Sequence, residues 1–266
     1  MHRHSVARPG RRVNYLEIGS GTPVVMVHGL LGSPAYLLPL ARSLAAAGRR
    51  VLLPDLHGHG GSDRLTPWHL DGAADDLAAA MADAGAERPA LLGHSLGAPI
   101  CVHWAARHPV RSLVCASPVG MVPLRLGGAR RLLPAAPVAA RMAELTARPL
   151  ARSRTGRRAV FGGFVGMADP HAVAPLLGER MIRHAAGAAA ALQDYLPQLH
   201  GLDLREPSAQ VDCPSLTIWG DRDVHAPNGA LLTAALRGEA HIVPGCGHMP
   251  PLEAPFAFRR ALDGWL

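Results

Sequence analysis

The chain has 266 residues, 48% of them hydrophobic, which suits one α/β domain or one carrying an inserted subdomain. Its formal net charge is +7, with all 27 basic residues arginine, but only 4% of the chain is aromatic. The basic stripe with interleaved aromatics that nucleic-acid binding needs is therefore missing, and no unbroken apolar run reaches the ~18 residues of a membrane span. Heavy Arg, Ala, Gly and Pro usage reads as a GC-rich coding background, so the choice of Arg over Lys carries no guanidinium argument. The start is basic, and Pro9-Gly10-Arg11-Arg12 stands where a signal peptide would need its apolar stretch; a cytoplasmic protein is expected. Cys101, Cys115, Cys213 and Cys246 are widely spaced without a CxxC pair, which predicts buried free thiols rather than disulfides or zinc.

Residues 13–18 alternate polar and apolar, the pattern of a half-buried antiparallel edge strand. After the turn Gly19-Ser20-Gly21-Thr22-Pro23, the continuous run Val24-Val25-Met26-Val27-His28 predicts a strand buried on both faces of a parallel sheet. It ends in His28-Gly29-Leu30-Leu31-Gly32-Ser33-Pro34, and a helix follows to about residue 47, stopped by Gly48. Residues 50–54 form the next buried strand, closing in Asp55-Leu56-His57-Gly58-His59-Gly60-Gly61-Ser62. A helix over about 71–84 carries acids in its first turn, as the helix dipole favours. The apolar run from Pro89 to Leu92 stops at Gly93, and Ser95 lies between Gly93 and Gly97 before a helix over 96–108 and a strand over 112–116. Strands alternating with helices predict a mostly parallel sheet with helices on both faces.

After Ser117-Pro118 the alternation stops. Up to about residue 208 the chain is rich in Ala, Arg and Pro, with short helices expected around 128–147, 154–167 and 170–198. Strand patterning resumes at 215–219, ends in Gly220-Asp221-Arg222-Asp223, and is followed by a helix near 229–236. A last strand at 240–243 runs into Pro244-Gly245-Cys246-Gly247-His248, and a closing helix covers 255–266. The expected organisation is a core domain of residues 1–117 and 209–266, with 118–208 as a helical cap.

In this layout Ser95, Asp223 and His248 all follow the carboxyl ends of strands, the edge of an open α/β sheet where sites form. G-x-S-x-G between a strand and a helix is a nucleophile elbow, in which glycines permit a sharp turn that exposes the serine hydroxyl. A serine hydroxyl needs a base to take its proton, and the base needs an acceptor that fixes its tautomer. Ser95, His248 and Asp223 are the residue types that this chemistry needs.

The pieces V-H-G-L-L-G, D-L-H-G-H-G-G-S, G-H-S-L-G, W-G-D-R-D-V-H-A-P and G-C-G-H-M-P, in this order, resemble the α/β-hydrolase superfamily. The likeness is to its cofactor-free esterase, haloperoxidase-like and epoxide-hydrolase-like branch, over roughly residues 13–118 and 211–266. The resemblance implies Ser95 as nucleophile, Asp223 as acid and His248 as base, with the backbone N–H groups of Leu30 and Leu96 as the oxyanion hole. Asp221 is the competing acid, set second because the pattern places the acid three residues after the glycine. The elbow departs from many relatives in carrying Ala98 where they have a second glycine. Serine rather than aspartate at the elbow argues against dehalogenation and epoxide opening.

The remaining histidines take plainer readings. His57 and His59 resemble the start of a metal-binding HxHxDH, but Gly61 and Ser62 hold the places of its Asp and His, so they are read as loop-shaping; no metal and no cofactor are expected. His28 is expected to brace the oxyanion turn and His94 to be structural. His103, His108, His171, His184, His200 and His225 lack a recognisable partner and are read as surface or packing residues, and Cys246 as packing.

Between Pro118 and Ser208 there are 12 Arg against 6 Asp+Glu, hence +6, while the rest of the chain is nearly balanced at 15 against 14. That excess is either an attraction for an anionic substrate, a carrier or a membrane surface, or a solvated face. Of Met121, Met142, Met167, Met181, Phe161, Phe164 and Tyr195, most are expected as core under the cap and a subset as the lining of an adaptable apolar pocket. Phe161 to Gly166 is a candidate hinge. The leading expectation is a serine hydrolase, carboxylesterase- or thioesterase-like, cleaving a small-to-medium apolar ester or thioester, free or carrier-bound, through an acyl-enzyme. The alternatives are a carbon–carbon bond hydrolase, a lactonase or cyclising enzyme with the same triad, and a small-molecule receptor that retains the triad.

Overall fold

The computed structural model describes residues 1–122, 136–199 and 201–266. One eight-stranded sheet runs in the order β1 (His2–Arg8), β2 (Arg11–Ile18), β4 (Arg49–Pro54), β3 (Thr22–Val27), β5 (Ala90–His94), β6 (Ser112–Ala116), β7 (Ser215–Gly220), β8 (Glu239–Val243). β1, β2 and β4 pair antiparallel, and every pair from β4/β3 to β7/β8 is parallel. The predicted edge strand over 13–18 is therefore second in the sheet. β1 covers it, running from His2 opposite Glu17 to Arg8 opposite Arg11 around a turn in which Gly10 takes φ 72°. On this edge strand the Arg3 side chain is 62% exposed and presents a charge that discourages pairing with another chain.

The continuous apolar runs become the central strands because both faces are covered. Val25, Val27, Leu52, Leu91 and Leu113 pack on one side against helices α2 (Leu70–Asp83) and α3 (Gly97–Arg107). Val24, Met26, Val51, Leu92 and Val114 pack on the other side against α1 (Leu38–Ala46) and the C-terminal α11 (Pro255–Ala261). Between β6 and β7 the chain forms α4 (Ala136–Arg152), α5 (Arg154–Arg157), a π-helical turn over Arg158–Phe164, α6 (Pro175–Ala188), α7 (Leu192–Leu199) and α8 (Arg205–Ala209). Of the candidate hinge from Phe161 to Gly166, Phe161 to Phe164 belong to that turn, and Phe161 is fully buried in it. The first half of the helix expected around 128–147, and His200, lie outside the described residues. After β7 come α9 (Ala226–Leu236), then β8, and the short α10 (Pro250–Glu253) before α11. No helix among the described residues is long and apolar enough to cross a membrane.

Candidate active site

β5 delivers Ser95 into a turn with φ 53°, a left-handed conformation that costs a non-glycine residue roughly 1 kcal/mol or more. The neighbours permit it only because they lack side chains. A Cβ on Gly93 would sit 2.4 Å from the Gly97 carbonyl, and one on Gly97 would sit 2.3 Å from the Val27 carbonyl. Both obstacles are backbone and cannot swing aside. Gly97→Ala is expected to cost about 2 kcal/mol or more, measured as a lowered urea midpoint, and to misplace the Ser95 hydroxyl.

His248, on the loop after β8, places Nε2 3.0 Å from the Ser95 hydroxyl. Its Nδ1 lies 3.0 Å from both carboxylate oxygens of Asp223. Asp223 sits after β7, and the backbone N–H of His225 donates to its Oδ1 at 2.9 Å. Burial alone would raise the Asp223 carboxyl, but its bonds with His248 and its backbone donor outweigh this and hold it below the usual range. Asp221 is exposed and accepts from the Gly245 N–H at 2.7 Å, bracing the loop that carries His248 rather than facing it.

The backbone N–H groups of Leu30 and Leu96 flank Ser95 and donate to no acceptor among the described residues. The Leu30 turn is held from several sides. The Gly32 N–H donates to the Gly29 carbonyl at 2.9 Å and the Leu31 N–H to His59 Nε2 at 3.0 Å. His28 receives the Leu56 N–H on Nε2 and donates from Nδ1 to the Gly29 carbonyl. The Gly29 N–H donates to the Tyr36 hydroxyl at 2.8 Å, which donates to His94 Nδ1 at 2.9 Å. His94 Nε2 donates in turn to the His248 carbonyl at 2.8 Å. One chain of hydrogen bonds thus ties the turn carrying Leu30 to the backbone of His248, and it requires neutral imidazoles.

Burial supplies that neutrality, pushing His94 down to about 3, His59 down to about 4, and His28 well below its ordinary value. In the unfolded chain these imidazoles titrate near ~6.5, so below that pH the unfolded state takes up protons that the fold refuses. Their contribution is complete above pH ~6.5 and is lost as pH falls towards the folded values, by up to about 1.4 kcal/mol per pH unit for each histidine. Melting temperature is expected to fall steadily from neutral pH to pH ~5. His59→Gln should flatten that slope, and a wild-type melting temperature that stays constant over this range would contradict the reading.

Several side chains stand where the sequence pattern did not place them. His225, read as surface or packing, is half-buried with its ring centroid 5.0 Å from that of His248. Burial first, and the neighbouring His248 second, lower its pKa. The local signal was its position two residues after Asp223 on the same loop. Glu253 was not singled out at all, yet its Oε2 accepts the N–H groups of Ala168, Asp169 and Gly247, and its Oε1 that of Met249. It pins the His248 loop to the helical segment. His103 and His108, read as partnerless, bind Asp71 and Asp75 at 2.8 and 3.0 Å. His57, in the loop after β4, bonds Asp76 of α2 at 3.1 Å. No group of three or more His, Cys, Asp or Glu side chains among the described residues is arranged to hold a metal ion.

Two cavities lined by described residues open at Ser95. The larger, about 200 Å³, is lined by Ser95 and His248 together with Phe161, Phe164, Met181 and Ile182 from the segment between β6 and β7. The smaller, about 160 Å³, runs past Leu96, Val119, Val122, Leu199 and Leu202. Leu30, Ser95 and His225 border both. Among the described residues no arginine lines either cavity. Of the residues marked as possible pocket lining, Phe161, Phe164 and Met181 serve; Met167 and Tyr195 are buried packing, and Met142 is exposed.

Comparison with known proteins agrees with this architecture. A family model described as alpha/beta hydrolase fold matches residues 22–255. The chain is 33% identical to a pimeloyl-[acyl-carrier protein] methyl ester esterase of Xanthomonas campestris, covering 88% of this chain and 90% of that protein. It is 26% identical to a proline iminopeptidase of Heyndrickxia coagulans, covering 97% and 96%. Among solved structures, the enol-lactonase of Burkholderia xenovorans LB400 superposes with a TM-score of 0.74 at 21% identity, covering 98% of this chain and 99% of that one. The matched model spans most of the chain and the sheet order repeats its fold: the chain belongs to the alpha/beta hydrolase family.

Proposed function

We propose that this hydrolase is a serine esterase that cleaves small-to-medium apolar esters or thioesters through an acyl-enzyme on Ser95. The observation that carries the reading is the continuous relay from Ser95 Oγ through His248 to Asp223, opening where two largely apolar cavities meet. Ser95 Oγ attacks the substrate carbonyl while His248 Nε2 takes its proton, and Asp223 stabilises the imidazolium. The Leu30 and Leu96 N–H groups receive the oxyanion; one such donor is worth about 10²–10³ in rate. His248 then protonates the departing alcohol or thiol, and a water that it activates releases the acyl group. The methyl ester esterase relative supports an ester as the bond cleaved.

Residues 118–208 act as a helical cap on a core of 1–117 and 209–266, since Phe161, Phe164 and Met181 wall the larger cavity. No arginine lines that cavity among the described residues, so the pocket selects an apolar group and any anionic or carrier-borne portion of the substrate stays outside. Four free thiols, three of them buried, suit a reducing cytoplasm. The test is a p-nitrophenyl ester series of increasing acyl length. kcat/KM is expected to rise about fourfold per methylene while the cavity fills, then to fall. Met181→Trp should move the optimum to shorter chains. Absence of catalytic turnover across the series would favour a triad-retaining receptor and overturn the proposal.

A further inference from the structure

α4 is built inside out. Its buried residues are the small Ala147 and Ala151, and it lies against α6, where Gly178 lets Ala151 approach and the Arg183 guanidinium donates to the Glu144 carbonyl at 3.2 Å. The large apolar side chains point the other way. Val138, Met142 and Leu145 are 68%, 55% and 60% exposed, and their spacing keeps them within about 60° of one another around the helix. Arg141, Arg148 and Arg152 form a second row, offset to one side by about 70°.

Of this row only Arg141 has a carboxylate, Glu144 at 2.8 Å, and the rest of the charge on this face is uncompensated. Arg148 and Arg152 pair with no carboxylate among the described residues, nor do the exposed Arg154 and Arg158 that follow. An apolar ridge flanked by guanidinium groups of which Arg148 and Arg152 are unneutralised complements an anionic lipid surface. The ridge enters the boundary between headgroups and acyl chains while the arginines reach phosphates. A second copy of this chain would bring the same cations against them and fits less well.

We propose that the outer face of α4 docks this hydrolase on an anionic phospholipid bilayer. The same stretch of chain runs on through α5 into the turn that supplies Phe161 and Phe164 to the larger cavity, and Phe164 is 74% exposed at its rim. Docking would therefore bring the entrance near a phase in which apolar substrates concentrate. The docking surface does not depend on which bond Ser95 attacks.

The test is cosedimentation of the full chain with phosphatidylglycerol-containing vesicles against pure phosphatidylcholine vesicles, with turnover of a soluble ester followed in parallel. Binding at least about tenfold stronger to the anionic vesicles, and released by salt, is expected. Val138→Ser/Met142→Ser/Leu145→Ser and Arg148→Ser/Arg152→Ser should each weaken it at least about fivefold while leaving soluble-ester turnover unchanged. No preference for anionic vesicles, or unchanged binding by both variants, would overturn the proposal. So would a dimer in solution that the triple variant dissociates, since the face would then be an interface between copies. Loss of ester turnover in the wild type bears on the proposed reaction alone.

Discussion

Ser95→Ala is expected to leave a folded protein whose ester turnover has fallen by about 10⁴–10⁶-fold. The hydroxyl has one protein partner among the described residues, His248 Nε2 at 3.0 Å, so its loss removes the proposed nucleophile without opening a cavity. Stability separates chemistry from strain. Alanine keeps a Cβ at φ 53° and should unfold close to the wild type, whereas Ser95→Gly relieves the left-handed strain. The glycine variant should be equally inactive and more stable by about 1 kcal/mol. A Ser95→Ala protein that retained turnover within tenfold of the wild type would remove Ser95 from the mechanism.

The second large effect is at Asp223. Replacement by Asn keeps the shape but sets an amide against His248 Nδ1, which now donates to a carboxylate at 3.0 Å. The ring would turn over to the tautomer that carries its proton on Nε2, facing the serine hydroxyl as a donor instead of a base. A loss of about 10⁴-fold in kcat is expected, with little change in KM. Asp221→Asn is the matched control, since an amide oxygen can still accept the Gly245 N–H and turnover should stay within a few-fold. If the two variants exchanged effects, Asp221 would be the acid.

The contrast between these two aspartates shows what the sequence could and could not reveal. That Ser95, Asp223 and His248 come together was legible because each position has a local signature: glycines where a Cβ would strike backbone, an aspartate at fixed distance past a strand end, a histidine after the last strand. β1 was missed because His2–Arg8 has no apolar face of its own; it is a strand by virtue of pairing with β2. His225 and Glu253 were missed for the same kind of reason. A histidine beside a loop acid and a glutamate in a short helix are ordinary locally, and only the fold brings one against His248 and the other onto four backbone amides. The arginine excess between Pro118 and Ser208 was visible as composition, but whether it faced the cavity or the solvent depended on how α4 packs on α6.

That Ser95 is a nucleophile activated by His248 is tested most directly by reacting the protein with a fluorophosphonate and mapping the adduct by mass spectrometry. A single adduct on the peptide carrying Ser95 is expected, absent from Ser95→Ala and strongly slowed in His248→Ala. An unlabelled wild-type protein, or an adduct on any other residue, would contradict it.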